Sequence, residues 1–119
     1  MGREGQMQEL IEAVRAFRRA RDWERYHSPK NLAMALSVEV AELLELFQWL
    51  TEEQSANLDG AQLARAREEI GDVMIYLANL ADQLGLDPLE AAFAKLERNE
   101  RKYPAEKVRG KAKKYTEYG

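Results

Sequence analysis

The chain has 119 residues, 45% hydrophobic and 33% charged, with a formal net charge of −3; these are the proportions of one globular domain, not of a disordered segment. It has no cysteine and a single histidine, His27, which excludes a disulfide framework, a thiolate metal site and any centre built on two imidazoles. No apolar run approaches the roughly 18 residues of a membrane span and the first twenty or so residues are too charged for a signal peptide, so the cytoplasm is the expected compartment.

Taken in order, the elements read as helices and nothing reads as a strand. Met7, Leu10, Ile11, Val14 and Phe17 recur at three and four residues and predict an amphipathic helix over roughly residues 4–22. The pattern breaks at Tyr26-His27-Ser28-Pro29, where Ser28 is placed to cap a second helix with Pro29 in its first turn. Leu32, Leu36, Leu43, Phe47 and Leu50 carry that helix to about Leu50. Thr51 with Gln54, and Asp59 with Gln62, have capping-box spacing and start a short helical turn and a third helix. The third helix runs from about Ala61 to Leu84 and stops at Gly85. Asp87-Pro88-Leu89-Glu90 then starts a fourth, which reaches about Lys102 and ends before Pro104. Short connections predict an all-α, antiparallel four-helix bundle. Residues 1–103 form its helical domain, and 104–119 a basic, irregular C-terminal tail.

Charge is unevenly placed. Residues 101–119 hold seven Lys/Arg against Glu106 and Glu117, a net of +5, which leaves −8 for the rest. Such an end binds nucleic acid, phosphate or membrane, or is simply solvated. A chain this short buries a modest core, so shared burial in an oligomer is expected.

The carboxylates carry the chemistry. At about 100° per residue, acids three apart fall on one helix face. On the second helix Glu39 and Glu42 lie inside an apolar arc made by Val40, Leu43, Phe47 and Leu50 on one side and Ala35, Val38, Leu46 and Trp49 on the other. On the third, Glu69 and Asp72 repeat the placement beside Ile70, Val73, Leu77 and Leu80, with Tyr76, Asn79 and Gln83 continuing a polar stripe. The small residues between the acids, Ala41 and Gly71, suggest close backbone approach. Unpaired carboxylates near a core cost several kcal/mol. Protonation, Lys/Arg partners or divalent cations can satisfy them, and an all-oxygen set suits Mg²⁺, Mn²⁺ or Ca²⁺. Glu45 lies nearer solvent and is the weaker ligand.

Glu39-x-x-Glu42 followed by Glu69-x-x-Asp72 resembles the EExxE…ExxD pattern of the MazG-like superfamily of all-α nucleoside triphosphate pyrophosphohydrolases, with Val38 where the first glutamate stands. Asp22-Trp23, His27, Asn31, the run from Glu39 to Trp49, Glu68 to Tyr76, Asn99 to Pro104, and Lys113-Lys114-Tyr115-Thr116 look like the dCTP pyrophosphatase branch. The likeness spans about residues 10–117. It implies a Mg²⁺-dependent enzyme (Mn²⁺ as a substitute) that cleaves dCTP or modified pyrimidine nucleotides to the monophosphate and pyrophosphate, cleaning the nucleotide pool. It also implies a homotetramer built from dimers, and Glu39, Glu42, Glu69 and Asp72 as metal ligands and catalytic acids, one of the helix-two glutamates taking the water proton.

The remaining candidates concern substrate. Trp23 and Trp49 either stack on a base or seal helix ends. His27 either bonds a base edge or organises its turn, and Tyr76, one turn beyond Asp72, either reaches the sugar or phosphate or is buried with a satisfied hydroxyl. Lys95, Asn99 and Lys102, with Tyr103, have the spacing to face phosphates, as the family's phosphate-binding residues do; otherwise Lys95 and Arg98 pair with surface acids. Arg109, Lys111, Lys113 and Lys114 could close over a triphosphate. Two rival readings are the same fold acting on dUTP or another nucleotide, and a non-enzymatic nucleic-acid-binding module, the latter without any recognised nucleic-acid motif.

Overall fold

A computed structural model describes residues 3–110, with side chains from residue 5 on. Lys111, Lys113, Lys114 and the Lys113-Lys114-Tyr115-Thr116 run therefore lie outside the described residues. Six α-helices follow one another: α1 (Arg3–Ala20), α2 (Pro29–Phe47), α3 (Glu52–Ser55), α4 (Gly60–Gln83), α5 (Pro88–Lys102) and α6 (Ala105–Val108), with a 3-10 turn at Glu24–Tyr26. The described residues contain no strand, so the all-α class is the one observed, with α1, α2, α4 and α5 as the long helices. The chain falls into two compact units that divide between Leu86 and Asp87.

The helix starts follow the sequence signals closely. Ser28 accepts the Asn31 amide ahead of Pro29, and Thr51 and Asp59 each close a full capping box with Gln54 and Gln62. Asp87 accepts the Leu89 and Glu90 amides at the start of α5. Two ends differ from expectation. The second helix stops at Phe47, not Leu50, because Thr51 must be extended to cap α3 and the chain leaves the helix ahead of it. Residues 105–108 are a helical turn rather than irregular tail, since Pro104 at φ −56° pre-sets the backbone for it.

In the first unit α4 is the centre, with α2 packed along it and α1 against it. Helix α2 runs antiparallel to α4: Glu45 near its end pairs with Arg65 near the start of α4 at 3.7 Å, while Glu39 meets Glu69 and Asp72 further along. The buried apolar positions among the described residues are Met7, Ile11, Val14, Leu32 and the alanines Ala66, Ala78 and Ala81. The expected core stripes are only partly covered. Leu43, Phe47, Leu50, Val73 and Leu80 are half-buried, whereas Val40, Ile70 and Leu77 are 48%, 55% and 40% exposed. Small alanines let the helices approach at the centre, and none of the described residues of this unit fully covers the outer apolar faces. Gly71 does not mark a close approach either, because a Cβ there would meet nothing within 4 Å.

Candidate functional site

Antiparallel packing of α2 on α4 brings the acids together. Glu39, Glu69 and Asp72 each offer a carboxylate oxygen, and these oxygens lie within 4.8 Å of one another. Glu42 stands beside this point and acts on both Glu39 and Glu69. Burial raises the Glu39 carboxyl above the usual carboxylate range, with Glu42 next and then the charges of Asp72 and Glu69. Glu69 is raised by the same causes, opposed weakly by Arg65. One oxygen of Glu39 and one of Glu69, both Oε2, are buried with no hydrogen-bond partner. Buried lone pairs normally find a donor. Orphaned acceptors facing other acids are what a hard divalent cation satisfies, so the residues present fit one. Glu45 points elsewhere, to its exposed pair with Arg65.

Next to the acids, a cavity of about 430 Å³ opens between α1, the 3-10 turn and α4, within the range of small-ligand clefts. Asp72 lines it, together with Phe17, Arg18, Trp23, His27, Tyr76 and Asn79. The sequence places Trp23 there through the end of α1. Asp22 takes a left-handed φ of 54°, and the Trp23 amide reaches back to the Arg18 carbonyl at 3.1 Å, a helix stop usually given to glycine. Trp23 then packs edge-on to Phe17 with centroids 5.7 Å apart and lies 5.9 Å from His27. Asn31 ties the turn to α2 by donating to the Tyr26 carbonyl at 3.1 Å.

The inner wall is polar. Arg18, 5% exposed, donates to the Asn79 side-chain oxygen and, at 3.3 Å, to Asp82. Arg15 donates to Asp82 through Nε at 3.1 Å, and the Asn79 side-chain nitrogen lies 3.0 Å from His27 Nδ1. The Arg15 hydrogen bond, reinforced by Arg18, holds Asp82 below the usual carboxylate range against the opposing effect of burial. Burial first, then the Arg18 charge, lowers His27.

Of the sequence candidates, Glu39, Glu69 and Asp72 share one point, Glu42 adjoins it, and Trp23, His27 and Tyr76 share the cavity with Asp72. Trp49 does not line the cavity; it stands 86% exposed in the turn after α2. Lys95, Asn99 and Lys102 lie on α5 and Tyr103 caps it, all in the second unit. Sequence reasoning passed over Arg15, Arg18 and Asp82 and took Asn79 only as part of a polar stripe. A signal was present: Arg18 follows Ile11 by seven and Val14 by four, in the register of the buried stripe. Phe17, placed on that stripe from the sequence, is instead half exposed under the Arg21 guanidinium, 3.6 Å from its ring centroid.

An all-helical unit with a carboxylate cluster that could hold a metal ion, beside a cavity of about 430 Å³, defines the class. The chain belongs to the MazG-like family, whose sequence pattern matches residues 34–118. It is similar to dCTP pyrophosphatase 1 of Homo sapiens, 44% identical over 103 residues, or 85% of this chain and 61% of that protein. The Bos taurus dCTP pyrophosphatase 1 is 43% identical over the same extent. The chain thus spans about three fifths of the length of these curated relatives. Among solved structures it resembles a pyrophosphatase from Archaeoglobus fulgidus DSM 4304, with a TM-score of 0.79 and 47% identity, covering 83% of this chain and 93% of that one.

Proposed function

We propose that this chain is a nucleoside triphosphate pyrophosphohydrolase that converts dCTP, or a related modified pyrimidine nucleotide, to the monophosphate and pyrophosphate. The observation that carries the reading is Asp72, which belongs to the acid cluster and also lines the cavity. A polyphosphate drawn to a cation that the acids would hold and a base lodged in the cavity then belong to one molecule. The names of the relatives, dCTP pyrophosphatase 1 and a pyrophosphatase, support the same bond and base.

Glu39, Glu69 and Asp72 would hold Mg²⁺, or Mn²⁺ in its place. When bound, the cation supplies charge to neutralise the polyphosphate and to acidify a water molecule. Glu42, beside the shared point rather than in it, is the better placed of the two helix-two glutamates to take the water proton. Trp23 and His27 contact the base, and Tyr76 the sugar or α-phosphate. Lys95, Asn99, Lys102 and Tyr103 are assigned to the phosphates. Residues 1–103 are read as the catalytic domain and 104–119 as a basic tail. Trp49 and the exposed apolar residues Val40, Ile70 and Leu77 support a homo-oligomer, a tetramer built from dimers, in which Trp49 reaches a base. No described helix is long and apolar enough to cross a membrane, and the cytoplasm is the proposed location.

The test is to incubate the purified protein with each nucleoside and deoxynucleoside triphosphate and Mg²⁺, scoring monophosphate and pyrophosphate. The reading calls for pyrophosphate release with a pyrimidine preference. Stepwise release of inorganic phosphate contradicts the bond assignment. Preference for dUTP or a purine contradicts the substrate, and salt-sensitive nucleic-acid binding without turnover replaces the enzyme reading.

A further inference from the structure

The polar wall of the cavity has a chemical direction. Arg18 carries donors only, so the Asn79 atom it meets must be the carbonyl oxygen. The Asn79 amide group therefore faces His27 and donates to Nδ1 at 3.0 Å. An imidazole nitrogen that accepts carries no proton, and the neutral ring's proton must then sit on Nε2. Asp82 holds Arg18 from the far side, at 3.3 Å, and is itself fixed by Arg15 at 3.1 Å. Each link is polarised by the one before it: carboxylate, guanidinium, amide, imidazole. Arg18 and Asn79 are 5% and 3% exposed, so neither can rotate away to water. The low-lying basicity of His27, from burial and the Arg18 charge, keeps the ring neutral as this arrangement requires.

We propose that Asp82, Arg18 and Asn79 are positioning residues that lock His27 in its Nε2–H form, making it a dedicated hydrogen-bond donor to an acceptor atom, carbonyl oxygen or unprotonated ring nitrogen, of a nucleobase in the cavity. The inference rests on the pyrophosphohydrolase reading for the identity of the occupant, but its first half concerns the protein alone. A site built around a fixed donor rejects a group that also donates, because two donors then face each other with neither satisfied. The residues that set base preference thus include three that need not touch the base.

The experiment uses the sole histidine as a probe. A ¹⁵N–¹H long-range correlation spectrum of the uniformly labelled full chain contains one imidazole. At neutral pH it should show a pyrrole-like Nε2 and a pyridine-like Nδ1, and adding dCTP without divalent cation should shift the Nε2–H signal. In Asn79→Asp the new carboxylate still accepts from Arg18 but also demands a proton on Nδ1. The spectrum should change accordingly, and KM for dCTP should rise about tenfold, the equivalent of one lost hydrogen bond. A proton on Nδ1 in the wild type overturns the proposal, whatever the turnover and whether or not the variant folds. If dCTP shifts the tryptophan indole signals but leaves Nε2–H unmoved, the proposal falls and the pyrophosphohydrolase reading stands. If neither dCTP nor any other nucleotide moves a signal, both fail together.

Discussion

Two polar clusters lie side by side on α4, and they are finished to different degrees. Around Asp82 the charges are paired: Arg15 and Arg18 converge on one carboxylate, Arg18 Nε makes no hydrogen bond but lies 3.6 Å from the Glu24 carboxylate, and Asn79 passes the arrangement on to His27. Two to four turns earlier on the same helix, Glu69 and Asp72 meet Glu39, and two buried oxygens have no donor. They also differ in depth: Arg18 and Asn79 are buried, whereas Glu39 and Glu69 are half-buried and Asp72 is exposed. A network whose charges are paired within the chain is part of the scaffold and can set geometry. A set of like charges left without a counter-charge at the surface can be completed from outside, and the kind of atom left wanting states what would fit.

Disabling the incomplete cluster should have the largest functional effect. Asp72→Asn removes a charge from the acids and alters the cavity wall, yet keeps the shape. Turnover should fall by roughly a thousandfold, the scale of losing a key electrostatic contact in an active site, while helical circular dichroism is retained. Near wild-type rates would remove Asp72 from the site. Breaking the charge-paired cluster should instead cost the fold. Asp82→Ala leaves the buried Arg18 with only Glu24, at 3.6 Å, as counter-charge, which should lower unfolding stability by roughly 3 kcal/mol in urea titration. A loss no larger than that of an exposed ion pair would mean that Arg18 finds water.

The same contrast has a pH signature of opposite signs. In metal-free protein, Glu39 and Glu69 have raised folded values, so their contribution is fully present below the ordinary glutamate range and is lost as pH rises through those values. Asp82 and His27 are lowered. Their contributions are present above the ordinary aspartate and histidine ranges and are lost as pH falls through the folded values. Urea midpoints of Glu39→Gln across pH 4–8 should therefore lose Glu39's share of the alkaline-side decline, keep the share due to Glu69, and keep the acid-side decline. A parallel curve for wild type and variant would contradict the assignment. The smallest effect expected is at Gly71, where a methyl group meets open space in mid-helix; Gly71→Ala should add up to about 1 kcal/mol, and a loss would reveal a neighbour on that face.

Much of this was legible in the sequence. Caps are local, and Ser28, Thr51, Asp59 and Asp87 start helices where their hydroxyls and carboxylates find amides two or three residues on. The acids were legible because charge inside an apolar arc conflicts with burial unless something compensates it. The Asp82–Arg18 network was not, since a stripe of Met7, Ile11 and Val14 continues into arginine only if a carboxylate on another helix lies opposite, and pairing across 64 positions has no local signature. Nor was the exposure of Val40, Ile70 and Leu77. Periodicity says which face is apolar and leaves open whether this chain or another covers it.

The central claim is that Glu39, Glu69 and Asp72 await a divalent cation, and its most direct measurement is calorimetric titration of the metal-free protein with Mg²⁺ and then Mn²⁺, without nucleotide, beside Glu39→Gln. Saturable binding in the wild type, accompanied by a rise in unfolding temperature and lost in the variant, is the expected result. No saturable heat and no thermal shift at millimolar cation, or equal binding by the variant, would contradict it.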